Sequence, residues 1–517
     1  DGDVKITFDN TVKYSTSWRV GQRSSSVADS SIGPQANTND GDMNFDRGLV
    51  SNRFDLLSEL GVSFQQRYGF RVSAAAWYDS VYHQENDNPG DLGGALVNAR
   101  STAYNKFTRA TRRLHGRDVE LLDAFAYGGF ELGEMDLNLK GGRFTQLYGE
   151  SLFFGSNGVA AAQGPLDLIK ALSVPNSRFQ EILRPVGQIA GQLQITPDLT
   201  VGAYYQLEWR KSRLPGSGSY FSFADFVDGG GESVILGPGA LVSRTSDIKP
   251  GHSGQGGVKL KYTIDDVDYG LYAARFHDKM PQFYVRPGVN VKSGYIGDYA
   301  QVFAKNINLI GASASTVIGG VNVAVEASFR DNMPLVATGN TVITNAAADG
   351  DGAAAYPVGR TAHFNISAIN VFAASPLWDG ASVIGEFAFN RRLSVDKNRS
   401  QLDPLATRDA GALQFIFTPE YFQVLPGVDL QVPIGFSYGL FGRSSVNGVL
   451  FPSENGGNVS IGVKADYQKT WQMALNYTRY VGGEGSIIKY GTAVPELSYK
   501  NFHGDRDFVS LTVQRTF

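Results

Sequence analysis

The segment VDLQVPIGFSYGL, residues 428–440, places an apolar side chain at every second position. The residues between them are small, polar or proline, so the segment has the period of two expected of a β-strand with unlike faces. The same alternation is found at residues 201–209, 321–329, 459–467 and 507–517. Strands of soluble sandwiches average about five or six residues, whereas a strand that crosses a bilayer needs roughly 9–11. The length of these runs therefore predicts membrane-spanning strands, with one face toward lipid and the other toward a wet lumen.

Counting such runs along the whole chain predicts eighteen strands, near residues 4–20, 51–66, 69–82, 118–132, 135–148, 186–195, 199–212, 254–264, 267–286, 294–311, 319–331, 360–374, 381–393, 410–422, 428–442, 458–469, 472–482 and 505–517. All the long connections fall on one side, and hydrocarbon offers no partner to an open sheet edge, so the sheet is expected to close. The predicted fold is all-β: a transmembrane antiparallel up-and-down β-barrel with long extracellular loops, formed by residues 1–517 as a single domain. Sixteen strands is the alternative, because the register is unclear at 287–318.

The composition narrows the class of protein further. The chain has 517 residues, no cysteine and a net charge of −4. Without a basic excess, nucleic-acid binding is not expected. The lack of cysteine removes disulfides and thiolate metal sites, and it suits a protein exported through an oxidising compartment. No apolar run approaches the roughly 18 residues of a membrane helix, and the sequence opens without a charged and apolar leader, so any signal peptide is expected to have been removed.

The C-terminal strand, DFVSLTVQRTF, ends at Phe517. A terminal aromatic residue on an alternating strand resembles the signal that the barrel assembly machinery of the outer membrane reads. We therefore expect the protein in the bacterial outer membrane, with that machinery, outer-membrane lipid and lipopolysaccharide as its partners.

Several longer motifs resemble a proteobacterial outer-membrane family catalogued as domain of unknown function 1302. They include NFDRGLVSNRFDLLSEL (44–60), GESLFFG (149–155) and RLPGSGSYFS (213–222), and they are dense over the first 220 or so residues. The resemblance implies an outer-membrane barrel, often encoded near transporters of the resistance-nodulation-division superfamily or near catabolic genes. It implies no established substrate and no catalytic residues.

The loop at residues 149–185 is more apolar than a solvated loop should be. One short amphipathic helix is predicted from Pro165, and a second from Ser177, whose spacing to Gln180 is that of a capping box. Apolar helices at a barrel mouth need cover, so this partly helical loop is a candidate plug or constriction. Its apolar residues Phe153, Phe154, Leu166, Ile169 and Leu172 would then line or block the pathway beside the lumen charges near Arg143 and Arg210. The alternative is packing against neighbouring loops above the lumen.

Charged side chains of both signs are predicted to face the lumen. The set includes Arg71, Asp79, Glu208, Arg210, Glu326 and Arg330, with Asp55, Glu59, Glu386, Arg392, Lys464 and Asp466. Asp123 and Arg143 share the parity of apolar neighbours, and are placed in the lumen because a charge facing lipid at the midplane costs roughly 2–4 kcal/mol. The mixture argues against strong selectivity for one sign of charge. The alternative for each residue is that it pairs with an opposite charge on another strand and only stabilises the water-filled interior.

One acidic segment has the oxygen spacing of a calcium loop: Asp40, Asp42, Asn44 and Asp46 occupy alternate positions. It departs from the EF-hand pattern, because Phe45 stands where glycine is expected and Ser51 where the bidentate glutamate should be. A calcium ion is thus the one cofactor that the sequence offers, and a solvated acidic loop is the alternative.

Three functions are compatible with these features. A channel for small hydrophobic or amphipathic molecules fits the predicted barrel and its apolar loop. An export conduit for a lipid or hydrophobic product would need an inner-membrane transporter or a periplasmic partner. A barrel hydrolase would need a Ser–His pair on the rim, for which His503 and Ser510 are near in sequence, but no G-x-S-x-G or H-E-x-x-H motif is present. We therefore expect no catalytic residues and no enzyme.

Overall fold

A computed structural model describes residues 3–28, 33–90, 95–345, 353–489 and 495–517. Eighteen strands form its main sheet: β1 (Val4–Arg19), β2 (Gly48–Phe64), β3 (Tyr68–Asp79), β4 (Arg117–Leu132), β5 (Met135–Phe144), β6 (Val186–Thr196), β7 (Leu199–Gln206), β8 (Gln255–Ile264), β9 (Val267–Phe276), β10 (Ile307–Ile318), β11 (Val321–Pro334), β12 (Val358–Phe372), β13 (Gly380–Arg392), β14 (Asp409–Leu425), β15 (Val428–Gln431 continued by Ile434–Phe441), β16 (Gly457–Tyr467), β17 (Trp471–Val481) and β18 (Phe508–Thr516). The two parts of β15 keep one register with β14 on either side of Pro433, which has no N–H to donate.

The sheet closes on itself into a barrel. Each strand is antiparallel to the strands before and after it in sequence, and β18 pairs with β1 from Thr11 opposite Thr516 to Arg19 opposite Phe508. Every strand therefore has two neighbours, as hydrocarbon requires of a membrane sheet. The predicted fold class and the count of eighteen strands are confirmed.

Apolar side chains cover the outside of the barrel. Along β9, for example, Tyr269 and Leu271 are 45% and 59% exposed, whereas Tyr272 faces inward and is 4% exposed. The same alternation along the other strands gives a continuous apolar belt. A belt of this kind matches a lipid environment rather than water.

The connections differ at the two rims of the barrel. One rim, called the turn rim, has short connections such as Gly319-Gly320, where φ is +58° and +86°. Glycine adopts these angles without the Cβ clash that other residues meet. The other rim, called the loop rim, has all the long connections, including residues 20–47, 80–116, 145–185, 207–254 and 277–306.

The prediction was wrong between residues 267 and 311. Strand β9 ends at Phe276, β10 spans Ile307–Ile318, and residues 277–306 form a loop. The predicted turn at 312–318 is therefore part of a barrel strand. The alternation in this loop comes from real strands, but they belong to a second sheet beyond the loop rim and not to the barrel.

That second sheet has five strands from three different loops. They are Ser233–Gly237, Ala240–Arg244, Gln282–Lys292, Tyr295–Val302 and Thr341–Ile343, and a separate two-stranded ladder joins Ile488–Lys489 to Glu496–Leu497. The five-stranded sheet packs around a small apolar cluster that includes Val242, Val285 and Tyr299. It ties neighbouring loops of the loop rim together.

All described helices are short and lie in the loops. The α-helices are Asp40–Met43, Arg109–Thr111, Leu168–Ser173 and Phe179–Ile182, with a π-helical turn at Arg112–Gly116. The 3-10 turns are Gly33–Asn37, Val81–His83, Val159–Ala162, Thr338–Asn340, Arg399–Gln401 and Gly448–Leu450. Within the described ranges, none of the helices has the length and apolar character needed to cross a bilayer.

Candidate functional site

The connection between β5 and β6, residues 145–185, lies inside the barrel and is called the inner loop. Glu326, on the lumen face of β11, accepts hydrogen bonds from the backbone N–H groups of Glu150 and Val159, both at 2.6 Å. Glu386, on the lumen face of β13, accepts from the N–H groups of Leu152 at 3.1 Å and Phe154 at 2.9 Å. Two carboxylates of the barrel wall therefore satisfy loop donors that have no secondary-structure partner.

Carbonyl groups of the same loop are held from the same wall. Arg330 of β11 donates from one guanidinium nitrogen to the carbonyl oxygens of Ser156, Asn157 and Gly158, at 3.0, 2.8 and 2.9 Å. The Asn157 side chain donates to the Asn365 side chain of β12 at 2.8 Å and to the Phe389 carbonyl of β13 at 2.9 Å. The inner loop is thus fixed by charged and polar side chains of β11, β12 and β13.

Exposure shows which part of the lumen the inner loop leaves open. Glu326, Arg330 and Glu386 on the covered wall are 2%, 1% and 1% exposed. On the opposite wall, the side chains of Lys13 on β1 and Arg71 on β3 are 33% and 47% exposed. The inner loop therefore covers the wall at β11 to β13, and the part of the lumen beside Lys13 and Arg71, where these side chains stay partly exposed, is called the passage.

The two helices of the inner loop begin one to three residues later than the sequence indicated. Asp167 caps Leu168–Ser173 by accepting from the N–H of Lys170 at 3.1 Å. The second helix, Phe179–Ile182, follows Arg178, whose backbone N–H donates to the Glu181 side chain at 3.3 Å. The Ser177 hydroxyl instead donates to the carbonyl of Val174 at 2.9 Å.

The apolar residues of the inner loop pack away from the passage. Phe154 is 7% exposed and lies against Ala388, Ala412 and Phe451, with 5.7 Å between the two phenyl centroids. Phe153 packs on the edge of the same cluster. Phe154 therefore lies against the barrel wall, which provides the cover that its ring needs, instead of facing the passage.

Leu166, Leu168, Phe179 and Ile182 lie in a second apolar cluster, shared with the loops at 207–254, 277–306, 335–357 and 482–507. Leu166 is 8% exposed, so it too is absent from the passage. Ile169 and Leu172 are half-buried on the helix Leu168–Ser173. The loop packs on the lumen wall at one end and under its neighbours at the other, and its role as a plug or constriction stays a prediction.

Charged residues near the loop rim form one group around Glu120 of β4. This carboxylate bonds Arg184 at 2.6 Å, Arg210 at 2.9 Å, and Arg213. Glu208 joins the group through Arg143 at 3.6 Å and Arg210 at 3.8 Å. Arg143, Glu208 and Arg210 were each predicted to face the lumen, but Glu120, Arg184 and Arg213 were missed.

Glu120 was detectable, because it alternates with the outward Val119 and Leu121. Arg184 and Arg213 lie outside the strands, where no periodicity marks a residue that turns inward.

Further toward the turn rim, Arg71 pairs with Glu59 and lies 3.9 Å from Asp123. Asp123 reaches the lumen through a β-bulge, since Val72 and Ala74 of β3 face Ala124 and Leu121 of β4. The extra residue on β4 reverses its facing parity. Asp79 is 2% exposed and accepts from the Ser51 hydroxyl at 2.6 Å and the Asn52 N–H at 3.0 Å, so it joins two strands instead of lining the passage.

The predicted calcium ligands do not surround a common point. Asp42 is fully buried opposite Arg19 at 2.7 Å, and Asp46 pairs with Arg23 at the surface. Asn44 donates from its side chain to the Gly218 carbonyl at 2.9 Å, and the Asp40 N–H donates to Asp225 at 3.0 Å. Among the described residues, no group of three or more acidic, His or Cys side chains is placed to hold a metal. Calcium binding stays a prediction of the sequence, and this arrangement does not support it.

The hydrolase alternative has no site in the described part of the chain. A ring nitrogen of His503 lies 3.1 Å from the carbonyl of Phe221, and no described histidine is bonded to a serine hydroxyl. Burial lowers the pKa of His503 to about 3. This histidine is therefore a poor proton acceptor at neutral pH.

Comparison with known proteins gives one family and several similar structures. The family described as protein of unknown function DUF1302 matches residues 1–517. No curated protein matches the sequence. The chain is similar to crystal structures of Acinetobacter baumannii OccAB4 (9% identity, 100% of this chain and 99% of that one, TM-score 0.44) and Pseudomonas aeruginosa OccD3 (10% identity, 99% and 91%, TM-score 0.39). It is also similar to Salmonella typhi OmpF in complex with daunomycin (8% identity, 100% and 98%, TM-score 0.36).

Proposed function

The chain belongs to the DUF1302 family, and on that premise we propose that it is a channel of the bacterial outer membrane for small hydrophobic or amphipathic molecules. One observation carries the proposal: the inner loop covers the lumen wall at β11 to β13, while the side chains of Lys13 on β1 and Arg71 on β3 stay partly exposed. A barrel narrowed from one side but not filled provides a passage of limited width.

The membrane setting follows from the outer surface. The apolar belt would face outer-membrane lipid, with the loop rim outside the cell among lipopolysaccharide and the turn rim in the periplasm. Phe517 lies at the turn rim, 61% exposed, where assembly machinery on the periplasmic side would reach it.

The substrate class follows from how the passage charges are arranged. Arg71 pairs with Glu59, and Arg53 pairs with Asp55 at 2.7 Å. Paired charges produce a weaker long-range field than a ring of one sign. The passage therefore favours molecules by size and amphipathic character more than by charge alone.

Reconstitution in planar bilayers and liposome-swelling assays test this function. The intact chain should conduct, and deletion of residues 152–183 should raise the single-channel conductance while heat-modifiable migration on gels shows a folded barrel. Deletion of the exposed hairpin tip at 287–294 is the matched control and should leave conductance unchanged.

A complete absence of conductance and solute flux, from both the intact chain and the 152–183 deletion, would contradict the channel. Unchanged conductance in a folded deletion variant would show that the inner loop does not narrow the pathway.

A further inference from the structure

A cavity of about 120 Å³ lies between the inner loop and four other loops of the loop rim. Its apolar lining includes Leu166 and Phe179 of the inner loop, Phe276 and Met333 at the ends of barrel strands, and Leu335 just beyond β11. A dry cavity of roughly 150 Å³ holds one benzene molecule. The space therefore suits a ligand of about six non-hydrogen atoms.

Two buried cations also line this cavity. Lys279 and Arg330 are 5% and 1% exposed. The Lys279 ammonium donates to the Gln255 side chain at 3.3 Å and to the His277 carbonyl at 3.1 Å, which are both neutral acceptors. Its Nζ also lies 5.3 Å from the centroid of the Phe276 ring. Neither cation forms an ion pair with a carboxylate in the described part of the chain.

Arg330 is also incompletely partnered. One of its terminal nitrogens bonds the three inner-loop carbonyls described above, and its Nε is buried without a hydrogen-bond acceptor. The side-chain oxygen of Gln282, another lining residue, is also buried without a partner. Burying a charge is costly unless it is paired, so Arg330 and Lys279 favour an acceptor inside the cavity, whereas the Gln282 oxygen would need a donor.

The single carboxylate among the described lining residues does not balance the two cations. Asp278 accepts from the N–H of Met280 at 2.9 Å, and its own burial raises its pKa. Burial lowers the pKa of Lys279 to about 8, which still leaves it mainly protonated at neutral pH. The wall of the cavity thus carries a positive excess beside an apolar surface.

We propose that this cavity is a binding site for a short-chain carboxylate, whose charged group faces Lys279 and Arg330 and whose apolar body lies against the apolar lining formed by Leu166 and Phe179. The site lies on the covered side of the lumen, away from Lys13 and Arg71, so it is a binding site in addition to the proposed channel. Binding itself does not depend on conductance, so it is measured separately on the solubilised full chain.

Trp209 provides a reporter for this site. Its indole N–H donates to the carbonyl of Asp278 at 3.1 Å, next to Lys279 in sequence. Titration with butanoate should produce a saturable change in tryptophan emission. The uncharged butanamide should have a dissociation constant higher by about tenfold or more. In Trp209→Phe the emission change should disappear while calorimetry still detects butanoate.

Two lysine variants of the same loop distinguish binding in this cavity from a general effect of positive charge on the protein. Lys279→Met should weaken butanoate binding about tenfold or more. Lys292→Met is the matched control, because Lys292 is exposed at the hairpin tip, and it should bind like the parent chain. If Lys279→Met does not fold, Lys279→Gln keeps a polar side chain and tests the same charge.

Equal binding of butanoate and butanamide, or unchanged binding in the Lys279 variant, would overturn the proposal. So would the absence of butanoate binding by calorimetry in the folded parent chain. A chain that conducts but does not bind butanoate would refute this site alone, and a chain that binds but does not conduct would refute the channel alone.

Discussion

Carboxylates inside this barrel have roles that differ with the groups facing them. Glu326 and Glu386 accept backbone N–H groups of the inner loop, whereas Asp42 is held opposite the guanidinium groups of Arg19 and Arg506. A carboxylate has about four lone-pair sites, so it satisfies several donors at once. Each of these side chains therefore fixes a segment of loop that has few partners of its own.

At the scale of single residues, the buried carboxyl group of Asp225 should make the stability of its surroundings depend on pH. Burial raises its pKa to about 7, and it accepts a hydrogen bond from the N–H of Asp40 at 3.0 Å. The pKa of Asp40 is raised as well, by burial and then by Asp225. Because the folded state holds this proton more tightly than the unfolded state, the stabilising contribution is complete below about pH 4 and is lost as pH rises through about 7.

Hydrogen exchange at residues 37–43, corrected for the intrinsic rate, measures this effect. Protection should fall between about pH 4 and about pH 7 in the parent chain, and it should fall less in Asp225→Asn, in which only the coupled Asp40 can still ionise. The same fall in both proteins would show that another group is responsible.

At the scale of elements, the inner loop owes its position to the barrel wall. Its α-helices have six and four residues, and helices this short are not stable alone in water. The hydrogen bonds from Glu326, Arg330 and Glu386 therefore hold the inner loop in one conformation, as the internal hydrogen bonds of a longer helix would.

Replacing Glu386 with Gln should loosen the inner loop. The amide loses one acceptor oxygen near the N–H groups of Leu152 and Phe154, which weakens the attachment by roughly 1–3 kcal/mol. Single-channel records should show larger fluctuations and a higher mean conductance. Glu420→Gln is the control, since Glu420 accepts from Gln431 at 2.9 Å at the turn rim. Indistinguishable records from the parent and Glu386→Gln would contradict this role.

The two faces of one strand give a further prediction. Leu475 of β17 is 51% exposed on the outside, and its neighbour Asn476 faces the lumen beside Gly462. Leu475→Arg should destabilise the barrel by roughly 2–4 kcal/mol in lipid vesicles, whereas Asn476→Arg should cost less. Urea unfolding from vesicles measures both. Equal losses would mean that Leu475 does not face the hydrocarbon.

At the scale of the whole molecule, the two ends of the chain complete the barrel. The Phe517 N–H donates to the Asn10 carbonyl at 2.9 Å, and the Asn10 N–H donates to the Phe517 carbonyl at 3.2 Å. These are backbone bonds, so closure does not depend on the terminal side chain.

Phe517→Ala should therefore separate assembly from stability. The folding free energy in detergent should change by about 0.5 kcal/mol or less, as for other exposed substitutions, while the amount of folded protein in the outer membrane of cells should fall. Phe372→Ala, at an exposed aromatic residue also close to the turn rim, is the control. Normal assembly of Phe517→Ala would show that the terminal ring is not the signal.

The sequence alone determined the barrel, its eighteen strands and the position of the long loops. Lipid requires one apolar face on each strand, and that requirement repeats every two residues along the chain. It did not distinguish barrel strands from strands of the outer sheet: 282–292 and 295–302 alternate as well, so one barrel strand was placed at 294–311 instead of Ile307–Ile318.

Only the tertiary structure decided where the inner loop rests and which charges meet. Glu326 and the N–H of Glu150 that it accepts are 176 residues apart in sequence. Glu120 forms ion pairs with Arg184 and Arg213, which lie in loops without a repeating sequence pattern. The acidic spacing at residues 40–46 indicated calcium, yet folding places Arg19 and Arg506 beside Asp42. The local periodicity of the sequence reflects whether each strand face meets lipid or water. Contacts between loops depend instead on how the closed barrel brings together segments that are distant in sequence.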